Sequence, residues 1–300
     1  AVLGAVGRHG GHRLAAADAE VERLVALGEL RRAVEPGRLL VGVDGSDDSL
    51  KAVKYAVREA LADGSDLWLV YATDPVVIVN GYVWAVAATD DDLHRAGQAV
   101  LERVKALVAA DGLPAERVVA EVVTGAPGEV LIRLSEQAAL LVMGRRSIGG
   151  LERMFVGSTS VQVAGRAACP VIVVSHSGQH ETGDAHGVVA VAIGAWPPHT
   201  AALQWAASEA ARRHCSMQVV HVVPTEGMIP TSAFKVTAAA IEAHLQPLRE
   251  QYPDTSIEVT VRTGVPIDEL VAASRTADLL VLGVHPARLS GLARGLLAHA

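Results

Sequence analysis

Two stretches of this sequence carry residue types that can hold a phosphorylated ligand. The first is Gly144-Arg145-Arg146-Ser147-Ile148-Gly149-Gly150, followed after a short interval by Gly157-Ser158-Thr159-Ser160. Glycines just after a strand let the backbone approach a ligand and turn N–H groups toward it. Ser158, Thr159 and Ser160 stand where a helix is expected to begin, and there unpaired N–H groups and the helix dipole favour an anion. Their hydroxyls add hydrogen bonds to phosphate oxygens, and Arg145 and Arg146 add positive charge. The plainer alternative is a Gly-rich connection with a Ser/Thr helix cap and no ligand. The loop is not a Walker A motif, because no Gly-Lys-Ser/Thr follows the glycines. The second stretch is Val41-Gly42-Val43-Asp44-Gly45-Ser46. Its Asp44 would stand at the carboxyl end of a strand, the edge where open α/β sheets bind ligands. A carboxylate there can accept from a ribose hydroxyl or share a metal with phosphate. It can equally cap a turn or the helix that follows, a task open also to Ser46, Asp47 and Ser49.

The elements that must position these residues follow a regular alternation. Short apolar runs over Leu39–Val43, Leu67–Ala72, Arg117–Val123, Leu140–Met143 and Cys169–Val174 read as strands. Between them, Ser49–Ala62, Asp91–Ala110, Gly128–Ala139 and Ser158–Ala168 have helical periodicity, and Asp111-Gly112 is a helix stop. Helices between buried strands imply a doubly wound, parallel α/β sheet with right-handed crossovers, Rossmann-like in its winding.

The order then repeats. Val189–Ile193 matches the first strand, and Trp205, Ala206 and Glu209 match Tyr55, Ala56 and Glu59 at an offset of 150 residues. Thr263-Gly264-Val265-Pro266 matches Thr124-Gly125-Ala126-Pro127, and Gly283 matches Gly144, now at an offset of 139. The first copy is therefore 11 residues longer in between, and the apolar stretch Val76–Ala88 is the expected place for the excess. The domain plan is an N-terminal extension over residues 1–36, partly helical at Leu14–Val34, a first domain over 37–175, a polar linker over 176–186 and a second domain over 187–300.

These residues resemble the universal stress protein family. The resemblance rests on Val41 to Ser46, on Thr124 to Pro127, and on Gly144 through Val174, where Cys169-Pro170-Val171-Ile172-Val173-Val174 is similar to the family's closing strand. ATP-binding members carry G-x2-G-x9-G-[ST]. Gly144, Gly157 and Ser158 match that pattern, and Ser147 replaces its middle glycine. The resemblance implies that Gly42 and Asp44 line the adenosine and that Ala72 touches adenine. It places Gly144, Arg145, Arg146 and Ser147 around the phosphates, with Gly157, Ser158 and Thr159 closing the other side. It implies ATP or AMP, with or without Mg²⁺, held without fast turnover, and homodimers or paired tandem domains. The second copy departs from the pattern. Gly194 stands where Asp44 would be, and the stretch after Gly283 reads Val284-His285-Pro286-Ala287-Arg288-Leu289-Ser290-Gly291, without the terminal Gly-Ser pair. Pro286 also removes a backbone donor. No nucleotide is expected in that half, whose role would be packing against the first.

The second copy also lacks a counterpart of Cys169–Val174 before Ala300. The first explanation is truncation; the alternative is that the apolar segment Ala1–Val6 supplies the missing strand. Sequence-wide properties narrow the function classes. The 300 residues carry a net charge of −7 and no long basic run, which argues against nucleic acid as a partner. Aromatics make up only 3%, so the core must be built from Ala, Val and Leu. No apolar run approaches the ~20 residues of a membrane helix, and no signal peptide is read. Two cysteines form no disulfide framework, so a reduced, cytoplasmic compartment is expected. His9 and His12 are a weak metal pair. Asp47-Asp48 and Asp90-Asp91-Asp92 are candidate Mg²⁺ ligands, equally explained as acidic helix starts. Three functions fit: an ATP-binding stress-response module, a non-nucleotide dimerisation scaffold of the same fold, and an ATP pyrophosphatase. The last rests on a faint likeness of Asp44–Ser49 to the Ser-Gly-Gly-x-Asp-Ser loop of that class.

Overall fold

The computed structural model describes residues 2–6, 37–74, 76–79, 82–85, 89–145, 158–174, 186–194, 198, 200–224 and 238–283. The expected helix Leu14–Val34, the pair His9 and His12, and most of the linker lie outside them. The chain divides into two compact units, residues 7–174 and residues 1–6 with 175–300. Val2–Val6 forms a first strand, β1, which belongs to the second of these units.

The first unit runs β2 (Arg38–Gly42), α1 (Asp47–Asp63), β3 (Asp66–Thr73), a hairpin of β4 (Val76–Val79) and β5 (Tyr82–Ala85), α2 (Asp90–Ala110), β6 (Val118–Thr124), α3 (Pro127–Leu134), β7 (Leu140–Gly144), α4 (Ser158–Arg166) and β8 (Val171–Val174). Its sheet has the order β8-β7-β2-β3-β6, with all pairs parallel. Local chemistry sets the helix ends. Ser46 accepts from the Ser49 N–H to start α1, and Gly64, at φ 79°, ends it. Thr89 and Asp92 form a capping box at the start of α2. Asp92 thereby takes a structural partner, as the helix-start explanation of Asp90–Asp92 requires. The third helix is shorter than the expected Gly128–Ala139 and passes into a 3₁₀ turn at Ser135–Gln137. Ser135 Oγ donates to the Ile132 carbonyl at 2.6 Å and accepts from the Ala168 N–H at 2.8 Å, a local side-chain alternative to further helical bonds.

The core is built as the composition demands. Leu40, Val41, Leu67, Leu69, Leu141 and Val142 fill the sheet, and Ala52, Ala56 and Ala60 let α1 lie close against it. The stretch Val76–Ala88 contains the antiparallel β4–β5 hairpin, joined by Asn80-Gly81, the pair favoured in two-residue hairpin turns. The sequence reading placed the 11-residue excess in this stretch, and the hairpin lies within it.

The second unit repeats the plan with β9 (Val188–Ile193), α5 (Thr200–Arg212), β10 (Ser216–Pro224), α6 (Ala238–Gln251), β11 (Ile257–Gly264), α7 (Pro266–Ser274) and β12 (Leu279–Gly283). The order is β11-β10-β9-β12-β1, again parallel. Asp278 fastens the entry to β9, accepting from the N–H groups of His186 and Gly187 at 2.8 Å and of Val188 at 3.2 Å. Among the described residues, no helix is long and apolar enough to cross a membrane.

In the first unit the end of α1 is held by Arg117, just ahead of β6. Its Nη2 donates to the Ala60 carbonyl at 2.8 Å and to the Ser65 carbonyl, and its Nε lies 3.6 Å from Asp66. Arg117→Ala leaves those carbonyls without this donor and is expected to cost about 1–3 kcal/mol. Urea unfolding monitored by circular dichroism measures the loss.

Candidate functional site

In the first unit β2 is the strand at which the winding reverses. The chain leaves it toward β3 on one side, and β7 returns on the other. A crevice opens at the carboxyl ends of such strands, and that is where ligands bind in open α/β sheets. Gly42, Asp44, Ala72, Gly144 and Arg145 all lie at this edge, at or just beyond the ends of β2, β3 and β7. Thr159 lies in the first turn of α4, and Ser158 is its first residue. Arg146, Ser147 and Gly157 lie outside the described residues, so the intact loop between β7 and α4 remains a sequence expectation.

Close approach explains two of the glycines. A Cβ on Gly144 would stand 2.6 Å from the backbone carbon and oxygen of Asp48 and 2.9 Å from the Ser49 nitrogen. The first turn of α1 therefore sits directly on the end of β7, and only glycine leaves room. A Cβ on Gly42 would meet Leu131 of α3 at 3.0 Å. Gly45 has φ 82°, the left-handed conformation that glycine adopts freely, and it turns the chain from Asp44 into α1.

Asp44 is half-buried and does the turn work that the simpler reading allowed. Its Oδ1 accepts from the Ser46 N–H at 2.9 Å and from Ser46 Oγ at 2.6 Å. The helix cap itself is Ser46, which the sequence left as one of several choices. The carboxylate is thereby oriented at the crevice.

The β3 edge carries a feature that spacing did not reveal. The Val70 carbonyl faces β2 and accepts from the Val43 N–H at 2.9 Å, whereas the Thr73 carbonyl faces β6 and accepts from the Gly125 N–H at 2.8 Å. By the alternation of strand backbone, Ala72 turns its N–H and C=O to the β2 side. That side is open, because the pairing with β2 ends at Gly42 and Val70. One donor and one acceptor thus face the crevice side by side.

The two helix starts at this edge differ in charge. The α1 start is satisfied by Ser46 and carries Asp47 and Asp48 in its first turn. The α4 start carries no acid in its first turn and has Ser158, Thr159 and Ser160 instead. An anion is therefore favoured at α4 and opposed at α1. Ser160 is buried, and its Oγ contacts the carbonyls of Gly144 at 3.3 Å and Arg145 at 3.0 Å, tying the first turn of α4 to the end of β7. The Arg145 N–H donates to the Val174 carbonyl at 3.1 Å, which fixes the start of the loop from the other side. Sequence spacing grouped Ser160 with the hydroxyls for phosphate, but its hydroxyl is structural. Among the described residues no group of three or more His, Cys, Asp or Glu is placed to hold a metal ion.

The corresponding edge of the second unit is built differently. Gly194 follows β9, and a Cβ there would meet nothing within 4 Å, so its glycine serves no close approach. His221, in the place of Tyr71, is buried and its Nδ1 lies 3.0 Å from the Ile193 carbonyl at the end of β9. A cavity of about 570 Å³ lies instead at the opposite, amino-terminal edge of that unit, lined in part by His214, Cys215, Tyr252 and Thr255. Gly187, just before β9, also lines it, but its lining includes no helix start of the α4 kind.

A universal stress protein family model matches residues 36–175 and 187–299. A universal stress protein of Mycolicibacterium smegmatis is 29% identical over 258 residues, which are 82% of this chain and 86% of that protein. One from Thermus aquaticus is 36% identical over 139 residues, 45% of this chain and 96% of that protein. Among solved structures, a universal stress protein from Archaeoglobus fulgidus superposes with a TM-score of 0.65 at 18% identity, covering 88% of this chain and 93% of that one. The structural likeness, at that identity, bears on the fold alone.

Two substitutions test the geometry. Gly144→Ala must displace the first turn of α1 and is expected to destabilise the protein by about 1–3 kcal/mol. Gly194→Ala, facing open space, should change stability by no more than about 0.5 kcal/mol in the same denaturant titration. Burial pushes the Cys215 thiol above its ordinary value, against the opposing pull of Arg213. The reactive thiolate is thus scarce at neutral pH. Iodoacetamide labelling of Cys215, followed by mass spectrometry, should be slower than labelling of free cysteine at pH 7.5 and still be rising above pH 9.

Proposed function

The chain belongs to the universal stress protein family, and from that premise we propose that its first unit binds an adenine nucleotide, ATP or AMP, as a regulatory stress-response module. The observation that carries this reading is the convergence at one strand edge of three recognition elements matched to the three parts of a nucleotide. The outward N–H and C=O of Ala72 complement the N1 acceptor and N6 amino donor on the edge of adenine. Asp44, oriented by Ser46, is suited to accept from ribose hydroxyls. The start of α4, with its hydroxyls and without first-turn acids, is suited to phosphate oxygens, joined by Arg145 and by the loop residues Arg146, Ser147 and Gly157. The close approach at Gly144 seats the first turn of α1 on the end of β7 and so holds Asp44 and the α4 start at one edge.

At this edge the Ser46 hydroxyl that donates to Asp44 also caps α1, so that pair serves the turn and the helix start. We therefore read the site as one that retains nucleotide and reports its presence through conformation or association, with no rapid turnover. Where Mg²⁺ enters, the phosphates bring it, since the described residues offer no ligand cluster of their own. The second unit serves as a pairing partner. Its Gly194 in place of Asp44 and its buried His221 favour a scaffold role for that half.

The test is the nucleotide content of the purified protein, measured by liquid chromatography and mass spectrometry, with calorimetric titration of ATP and Mg²⁺ beside it. One adenine nucleotide per chain is expected. Asp44→Asn keeps an acceptor for Ser46 while removing the charge, and it should weaken binding about 10- to 100-fold, the worth of a charge-assisted hydrogen bond. Neither co-purified nucleotide nor heat of binding would leave the scaffold reading for both halves.

A further inference from the structure

The two sheets have the same strand order, and β1 stands in the second where β8 stands in the first. The match extends to the register. In the first unit Leu141, Val142, Met143 and Gly144 pair with Val171, Ile172, Val173 and Val174. In the second, Leu280, Val281, Leu282 and Gly283 pair with Leu3, Gly4, Ala5 and Val6. Each β12 residue is the repeat counterpart of the β7 residue at the offset of 139 that Gly144 and Gly283 define. The helix contacts agree as well, since α1 packs against both β7 and β8, and α5 against both β12 and β1. The segment Val2-Leu3-Gly4-Ala5-Val6 is apolar throughout, as strands of parallel sheets are.

We propose that the outer edge of β12 is a strand-binding site and that residues 2–6 of the same chain are its occupant, an exchangeable closing strand. An open edge on β12 would expose unpaired N–H and C=O groups beside the buried Leu279–Leu282, a template for association with other chains. Filling it in cis removes that hazard. On β12 this strand of five residues is matched at four registered positions. It can leave and return without unfolding β9–β12, so the completeness of the second unit depends on where the N-terminal segment is. The sequence separation itself is a weak obstacle, because loop-closure entropy grows only logarithmically with length.

The test is a pair of cysteines at registered positions in the full chain, Leu3→Cys with Leu280→Cys, against the mismatched pair Leu3→Cys with Leu282→Cys. Under mild oxidation and peptide mapping, the registered pair is expected to form an intramolecular disulfide at least tenfold faster than the mismatched pair. Hydrogen exchange then reads the consequence. In the chain lacking residues 1–6, exchange over 279–283 should rise at least tenfold, fall again when a synthetic peptide of residues 1–6 is added, and remain unchanged over 140–144. Equal cross-linking of the two pairs, links only between chains, or unaltered exchange over 279–283 in the shortened chain would overturn the proposal. If the shortened chain does not stay folded, the registered cross-link decides alone.

Discussion

The seating of the first turn of α1 on Gly144 is the constraint on which the first unit's ligand edge depends. It fixes the distance between the ends of β2 and β7, because α1 is joined to β2 by Val43, Asp44, Gly45 and Ser46 alone. With that distance set, the positive φ of Gly45 aims the chain, Ser46 closes both the turn and the helix start, and the Asp44 carboxylate is left at the crevice. Ser160 repeats the device from the other side by tying the first turn of α4 to the carbonyls of Gly144 and Arg145. Two helix starts of opposite electrostatic preference are thus pinned to one strand end, and only one of them is suited to an anion.

The second unit shows which features the two copies share. The second unit retains the strand order, the parallel pairing and the small, buried helix faces at Ala202, Ala206 and Ala210. These are properties of the core. The carboxyl edge differs, since Asp44-Gly45-Ser46 becomes Gly194-Ala195-Trp196 in the sequence and a buried His221 lies against the last carbonyl of β9. Core and site have therefore drifted independently, as expected when packing is selected by volume and a site by specific atoms.

Much of the fold was legible in the sequence because buried parallel strands read as continuous apolar runs and because the repeat reads each element twice. Glycine and proline marked the same turn in both copies, and Pro127 and Pro266 each open a helix. The hairpin of β4 and β5 was missed although Asn80-Gly81 stands between two apolar runs of four residues, a turn signal that the length of the apolar stretch obscured. At the site, residue types and spacing picked out Asp44, Gly144 and Thr159 as candidates. They could not separate Ser160, whose hydroxyl serves the protein's own carbonyls, from its neighbours. Nor could they show the outward face of Ala72, because backbone direction depends on where β2 stops pairing, and no side chain signals it.

The closing strand follows from the same physics as the rest. A parallel sheet needs its edge covered, and a repeat needs its fifth position filled, but neither requirement says which part of the chain must do it. The requirement is for a short extended apolar segment in the correct register. Gly144 and Gly283 provide the same strand end in both units, and β8 and β1 meet it at the same four positions. The position is thus defined by β7 and β12, whose residues correspond, rather than by the strands that fill it, whose sequences do not. A site that specifies its occupant by backbone and register can accept it from any point in the chain, which is why a segment far away in sequence can complete the second unit.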